Sequence, residues 1–86
     1  MALFPVISNF QYDFVLQLVP VDTGNTMDEV AAAAAHHSVG RRVAARPGKV
    51  VRVRRQGAEQ FYARDAKLDE TDIKPMETLE FIFCDE

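Results

Sequence analysis

A chain of 86 residues, 48% of them apolar and 27% charged, is expected to form one small folded domain over 1–86, with no room for a second core. No apolar run approaches the ~20 residues needed to cross a bilayer, so no membrane span is expected. The single cysteine, Cys84, excludes an internal disulfide or a thiolate zinc cage, and the net charge is only −3.

The start, Met1-Ala2-Leu3-Phe4-Pro5, has neither the basic opening nor the long apolar stretch of a secretory signal, so a reducing cytoplasm is the expected location. Ala2–Asn9 and Asp13–Val21 both read as strands, rich in Phe, Val, Ile and Leu. The short polar break at Asn9–Asp13 makes them an antiparallel hairpin. A turn is expected at Asp22-Thr23-Gly24-Asn25. Thr26-Met27-Asp28-Glu29 then has the spacing of a capping box, with two acids where the helix dipole favours them. The helix runs on through Ala31–Ala35 and is expected to end near Ser38, with Gly40 as its stop and Arg41 and Arg42 close to the last carbonyls.

Lys49–Arg55 alternates valines with arginines, the pattern of a strand with one wet face. Gln56–Glu59 reads as a turn, Gln60–Ala63 as a short fourth strand, Leu68–Met76 as a polar segment holding one helical turn, and Leu79–Cys84 as the final strand. The order is strand, strand, helix, strand, short strand, strand. It predicts an α+β chain with a mixed sheet of about five strands and one main helix on one face, the β-grasp or ubiquitin-like arrangement. A right-handed crossover places the last strand beside the first, parallel to it and in mid-sheet. Leu68, Ile73 and Pro75 ahead of Thr78-Leu79-Glu80-Phe81 are similar to the closing segment of ubiquitin-like domains.

Charge is distributed unevenly. Residues 1–40 hold four acids and no Lys or Arg, whereas 41–55 hold seven bases (Arg41, Arg42, Arg46, Lys49, Arg52, Arg54, Arg55) and no acid. Such a block steers partners or forms a solvated face. A nucleic-acid partner is the rival reading, but the chain is net acidic and its basic strand has no aromatic residue for base stacking. Burial argues for a protein partner. One helix covers one side of a sheet, yet Phe14, Leu16 and Leu18 oppose Val15 and Val19, and Leu79, Phe81 and Phe83 oppose Ile82 and Cys84. One of each pair of sets is left facing outward.

No catalytic constellation is found. A di-iron carboxylate site needs a Glu-x-x-His pair on each of two helices, and the only helical glutamate, Glu29, lies seven residues before His36. His36 and His37 are adjacent, so on a helix they point about 100° apart and cannot share a metal. Cys84 beside Asp85 and Glu86 is in a setting that raises a thiol pKa. The four glycines form no phosphate loop. Ubiquitin-like conjugation requires a Gly-Gly tail, and the sequence closes on Phe83-Cys84-Asp85-Glu86, so that role is not expected unless a longer precursor exists.

A series of short segments, in order and with little change of spacing, resembles one family. They are Phe4-Pro5-Val6, Asp13-Phe14-Val15, Gln17-Leu18-Val19, Val21-Asp22, Thr26-Met27-Asp28, Val30-Ala31, His37 with Arg41-Arg42-Val43, Arg52-Val53-Arg54-Arg55, Phe61, Arg64-Asp65 and Pro75-x-Glu77-Thr78-Leu79. The chain is similar to the gamma subunit (system protein B) of bacterial toluene monooxygenase hydroxylases. The resemblance implies a small non-catalytic subunit that joins an alpha subunit, which carries the di-iron centre, and a beta subunit in a paired three-subunit hydroxylase. A Rieske ferredoxin, a reductase and an effector protein complete such systems. No cofactor is expected in this chain. Ala63 departs from the proline usual in that family, alanines replace charged helix residues, and His36 replaces an aromatic. Related complexes oxidise alkenes and isoprene as well as toluene, so the substrate stays open.

These readings combine into one expectation. The chain docks on the alpha subunit through its basic strand and uncovered sheet face, with Arg41, Arg42, Arg52 and Arg54 meeting acids and Ile82 giving apolar contact. A free-standing adaptor is the alternative.

Overall fold

The computed structural model describes residues 2–85. Strand β1 (Leu3–Phe10) pairs antiparallel with β2 (Gln17–Asp22), setting Val6 opposite Val19 and Ile7 opposite Leu18. Helix α1 (Met27–Ser38) follows, then β3 (Lys49–Arg55), a single 3-10 turn (Leu68–Glu70) and β4 (Thr78–Asp85). The sheet order is β2-β1-β4-β3. β4 lies between β1, to which it is parallel, and β3, to which it is antiparallel, so the expected mid-sheet crossover is present.

The helix begins where the sequence places it. Thr26 Oγ1 accepts from the Glu29 amide at 3.3 Å, and Glu29 Oε1 accepts from the Thr26 amide at 2.9 Å. Two further orphan donors of the first turn find the loop ahead of the 3-10 turn: Met27 N–H donates to the Ala66 carbonyl and Asp28 N–H to that of Arg64. At the other end Val39 leaves helical geometry and Gly40 adopts φ +80°, which costs a residue without a Cβ little. This turn lets the amides of Arg41, Arg42 and Val43 all reach the Ser38 carbonyl.

Two expectations need correction. The sheet has four strands among the described residues, because Gln60–Ala63 does not form one. Tyr62 N–H does bond the Val53 carbonyl, but the Tyr62 carbonyl is taken by Arg52 Nη2 at 2.9 Å, so the ladder stops after one rung. The second strand also starts later than Asp13. Tyr12 has φ +69°, Asp13 N–H closes a turn onto the Phe10 carbonyl, and regular pairing resumes only at Gln17.

Alternate strand residues, including Val6, Phe10, Val19, Val53, Leu79 and Phe81, are buried together with Met27, Val30 and Ala34 of the helix in one hydrophobic cluster. Phe10 and Phe81, on the two central strands, stack with ring centroids 6.1 Å apart.

Candidate functional site

The side of the sheet away from α1 is formed by the other parity of each strand. From the β2 edge inward it carries Leu18 and Pro20, then Pro5 and Ile7, then Glu80 and Ile82, and at the β3 edge Arg52 and Arg54. The helix cannot reach these positions, so their environment depends on loops or on another molecule.

The two halves of this face differ. On the β3 half the charges are already engaged. Arg54 pairs with Glu80 at 2.6 Å, and Arg55, of the opposite parity at the end of the same strand, pairs with both Asp72 and Glu77. Phe61, from the segment that failed to become a strand, lies 5.4 Å from the guanidinium carbons of both Arg52 and Arg54. That segment therefore straddles the edge of β3, with Tyr62 packed against the core and Phe61 against the arginines. Ile82 is half-buried opposite Arg52.

The β2–β1 half is apolar and open. Leu3 is 76% exposed and Leu18 57%, while Leu16, just ahead of β2, is equally uncovered. Pro20 lies exposed on the outer strand, where its missing N–H leaves a gap in the donor row of that edge. This edge is therefore a poor template for adding a strand, and its apolar face is the feature left to bind something.

At one end of the molecule, the loop 11–16 is held by a buried ion pair. The Asp13 side chain has no solvent exposure. Its Oδ1 accepts from Arg42 Nε at 2.8 Å and the Val15 amide at 3.0 Å, and its Oδ2 from Ser38 Oγ at 2.7 Å and Arg42 Nη2 at 3.0 Å. Arg42 Nη2 also donates to the His37 carbonyl. The Arg42 guanidinium, opposed by burial and assisted by Ser38 and the Val15 amide, holds the carboxyl well below its usual range, at about 2. Arg41 donates to the His36 carbonyl at 3.2 Å from an exposed position, so both arginines do lie at the helix's last carbonyls.

The five residues singled out in the sequence are thus not one patch. Arg52, Arg54 and Ile82 share the β3–β4 half of the open face. Arg41 and Arg42 lie at the helix C-terminus, with Arg42 turned inward onto Asp13. Sequence reasoning missed Asp13 itself. The available signal was its lack of any base within the first 40 residues, which obliges a buried acid there to find one in the distant basic block.

The histidines stack edge to face at 5.5 Å, and no group of three or more His, Cys, Asp or Glu side chains among the described residues is placed to hold a metal. Among the described residues no helix is long and apolar enough to cross a membrane.

The comparisons with known proteins agree with one another. The family model for toluene-4-monooxygenase system protein B matches residues 3–83. A hydroxylase component subunit gamma of the toluene-4-monooxygenase system from Ectopseudomonas mendocina is 42% identical over 83 residues, covering 96% of this chain and 98% of the relative. An oxygenase component subunit gamma of the alkene monooxygenase system from Xanthobacter autotrophicus is 51% identical over 43 residues, half of this chain and 49% of the relative. In a solved structure of a toluene 4-monooxygenase HD complex with the inhibitor 4-bromobenzoate, one chain superposes with a TM-score of 0.92 at 41% identity, covering 95% of this chain and 99% of that one.

Proposed function

The chain belongs to the toluene-4-monooxygenase system protein B family, and from that membership we propose that it is the non-catalytic gamma subunit of a multicomponent monooxygenase hydroxylase acting on toluene-like aromatics or on alkenes. The observation that carries this reading is the end-to-end match to a hydroxylase gamma subunit, covering 96% of one chain and 98% of the other. An apolar sheet half on which Leu3, Leu18 and Pro20 stand exposed supports it, since exposed contiguous apolar surface marks a docking site.

The finer reading follows the same family. The single domain of 86 residues has the β-grasp arrangement, supported by one helix crossing a mixed sheet whose first and last strands are parallel neighbours. Its partners are the hydroxylase alpha and beta subunits, with a di-iron centre held by alpha rather than by this chain. A Rieske ferredoxin, a reductase and an effector protein serve the wider system, in the cytoplasm. The β2–β1 half of the open face provides the main apolar contact with the alpha subunit. Arg52, Arg54 and Ile82 form its margin, where Arg52 is held by Phe61 and the Tyr62 carbonyl and Arg54 by Glu80, so this margin offers shape and hydrogen-bonding groups rather than free charge. A nucleic-acid partner is less supported, because Arg42, Arg54 and Arg55 are each engaged by carboxylates within the chain.

Co-expression tests the assignment. With its candidate alpha and beta subunits, the chain is expected to co-purify in stoichiometric amount; a chain that elutes alone from such cells contradicts it. Leu18→Glu places a charge on an already exposed position, so the isolated domain keeps its melting temperature while retention in the complex falls at least about tenfold.

A further inference from the structure

Phe14 is 86% exposed, the highest exposure of any large apolar side chain among the described residues, and it sits in the segment that the Asp13 ion pair pins down. The residue before it is fixed through four hydrogen bonds, and the Val15 amide after it is held by the same carboxylate. Two residues before it, Tyr12 stacks on Phe83 with centroids 6.3 Å apart, and the Arg46 guanidinium lies 4.3 Å from the Tyr12 ring. A phenylalanine whose flanking backbone is held in this way loses little backbone freedom on binding, which favours it as an anchor.

Charge adds a second, independent observation. Four of the seven bases in the 41–55 block have carboxylate partners: Arg42 with Asp13, Lys49 with Asp85, Arg54 with Glu80, and Arg55 with Asp72 and Glu77. Arg41, Arg46 and Arg52 have none among the described residues. Arg52 is half-buried against the Tyr62 carbonyl and Phe61. Arg41 and Arg46 are exposed, and both stand in the loop between α1 and β3, at the end of the molecule where Arg42 grips Asp13. Aromatic and arginine side chains are enriched among the residues that carry binding energy at protein interfaces.

We propose that the end formed by loops 11–16 and 39–48 is a docking tip. Its Phe14 inserts into an apolar pocket of a partner subunit whose rim presents carboxylates to Arg41 and Arg46. Arg42 and Asp13 are positioning residues that aim the anchor and touch no partner. The tip is continuous along the chain with the open sheet half, since Leu16 and Leu18 lead directly from Phe14 onto that face. The inference rests on the assignment to a hydroxylase and adds the chemistry of the surface that receives this chain.

Competition within the assembled complex tests it. Wild-type and variant chains, distinguishable by mass, are expressed together with the alpha and beta subunits, and the hydroxylase is purified through a tag on a partner. The share of each chain is then read by mass spectrometry. Phe14→Ala is expected to be under-represented by about tenfold or more, although its exposed position leaves the melting temperature of the free chain unchanged. The double variant R41E/R46E is expected to be under-represented too, with a deficit that shrinks as salt rises. Equal incorporation of Phe14→Ala and wild type overturns the inference. So does a tip that instead contacts a second copy or an oligonucleotide, since neither would bias the ratio. If wild type itself fails to enter the complex, the assignment to the hydroxylase falls first and the inference with it.

Discussion

Replacing Phe81 by alanine is expected to lower the unfolding free energy by about 3–5 kcal/mol, the range for emptying a large aromatic from a packed core. Phe81 is fully buried on β4, opposite Val53 of β3 and Phe10 of β1, and stacks on the Phe10 ring. Phe10 in turn meets Phe83 edge to face at 5.5 Å. Removing the Phe81 ring therefore leaves Phe10 without its stacked neighbour on β4, the strand along which the parallel and antiparallel halves of the sheet are joined. A chain of this size has only about 5–15 kcal/mol in hand, so thermal denaturation should show a midpoint lowered by roughly 15 °C or more. Phe14→Ala removes the same number of atoms from a position 86% exposed and should leave the midpoint where it was. A similar effect of the two substitutions on the free chain would contradict the burial pattern.

The second large effect is expected at Asp13. Alanine there leaves Ser38, which is fully buried, without its acceptor and the inward-turned Arg42 guanidinium with only the His37 carbonyl. Stranding a buried charge costs more than the pair contributes. The carboxylate lies close beneath the surface, however, and Arg42 keeps 24% exposure through which water can reach it. The expected loss is therefore about 2–3 kcal/mol, at the low end for such pairs. The pH dependence has a definite direction. The folded-state pKa is about 2, below the ordinary 3.8, so the folded chain releases this proton more readily than the unfolded one. The stabilisation is complete above about pH 4 and is lost as pH falls through that value toward 2. Asp72 and Asp85, also lowered by Arg55 and Lys49, act in the same direction from exposed positions. The acid limb of the stability curve should be clearly shallower in Asp13→Ala. An unchanged limb would mean that the carboxylate is not ionised in this network.

Most of the fold was legible because its signals are local. The capping box at Thr26 and Glu29, the Gly40 stop and the valine–arginine alternation of Lys49–Arg55 each act within a few residues. The closure of the sheet followed from chain order and the handedness of the crossover. What the sequence hid was non-local. Gln60–Ala63 has strand-like residues, but its pairing is ended by a side chain ten positions earlier, when Arg52 takes the Tyr62 carbonyl. Asp13–Leu16 reads as strand by composition, yet an ion pair 29 residues away in the chain holds Asp13 in a turn. The basic block was legible as a block, but not as separate bases with separate duties. Only the folded chain distinguishes Arg42, consumed within the domain, from Arg41 and Arg46, left at the tip.

The measurement closest to the central claim is hydroxyl-radical footprinting of this chain, free and within the purified hydroxylase. If the β2–β1 half of the open face is covered by a partner subunit, Leu3, Leu16 and Leu18 should become several-fold less reactive on assembly. Lys67, exposed beside the helix N-terminus, should react alike in both. Equal labelling of the three leucines in the free and assembled chain would show that this face stays in water and that docking occurs elsewhere.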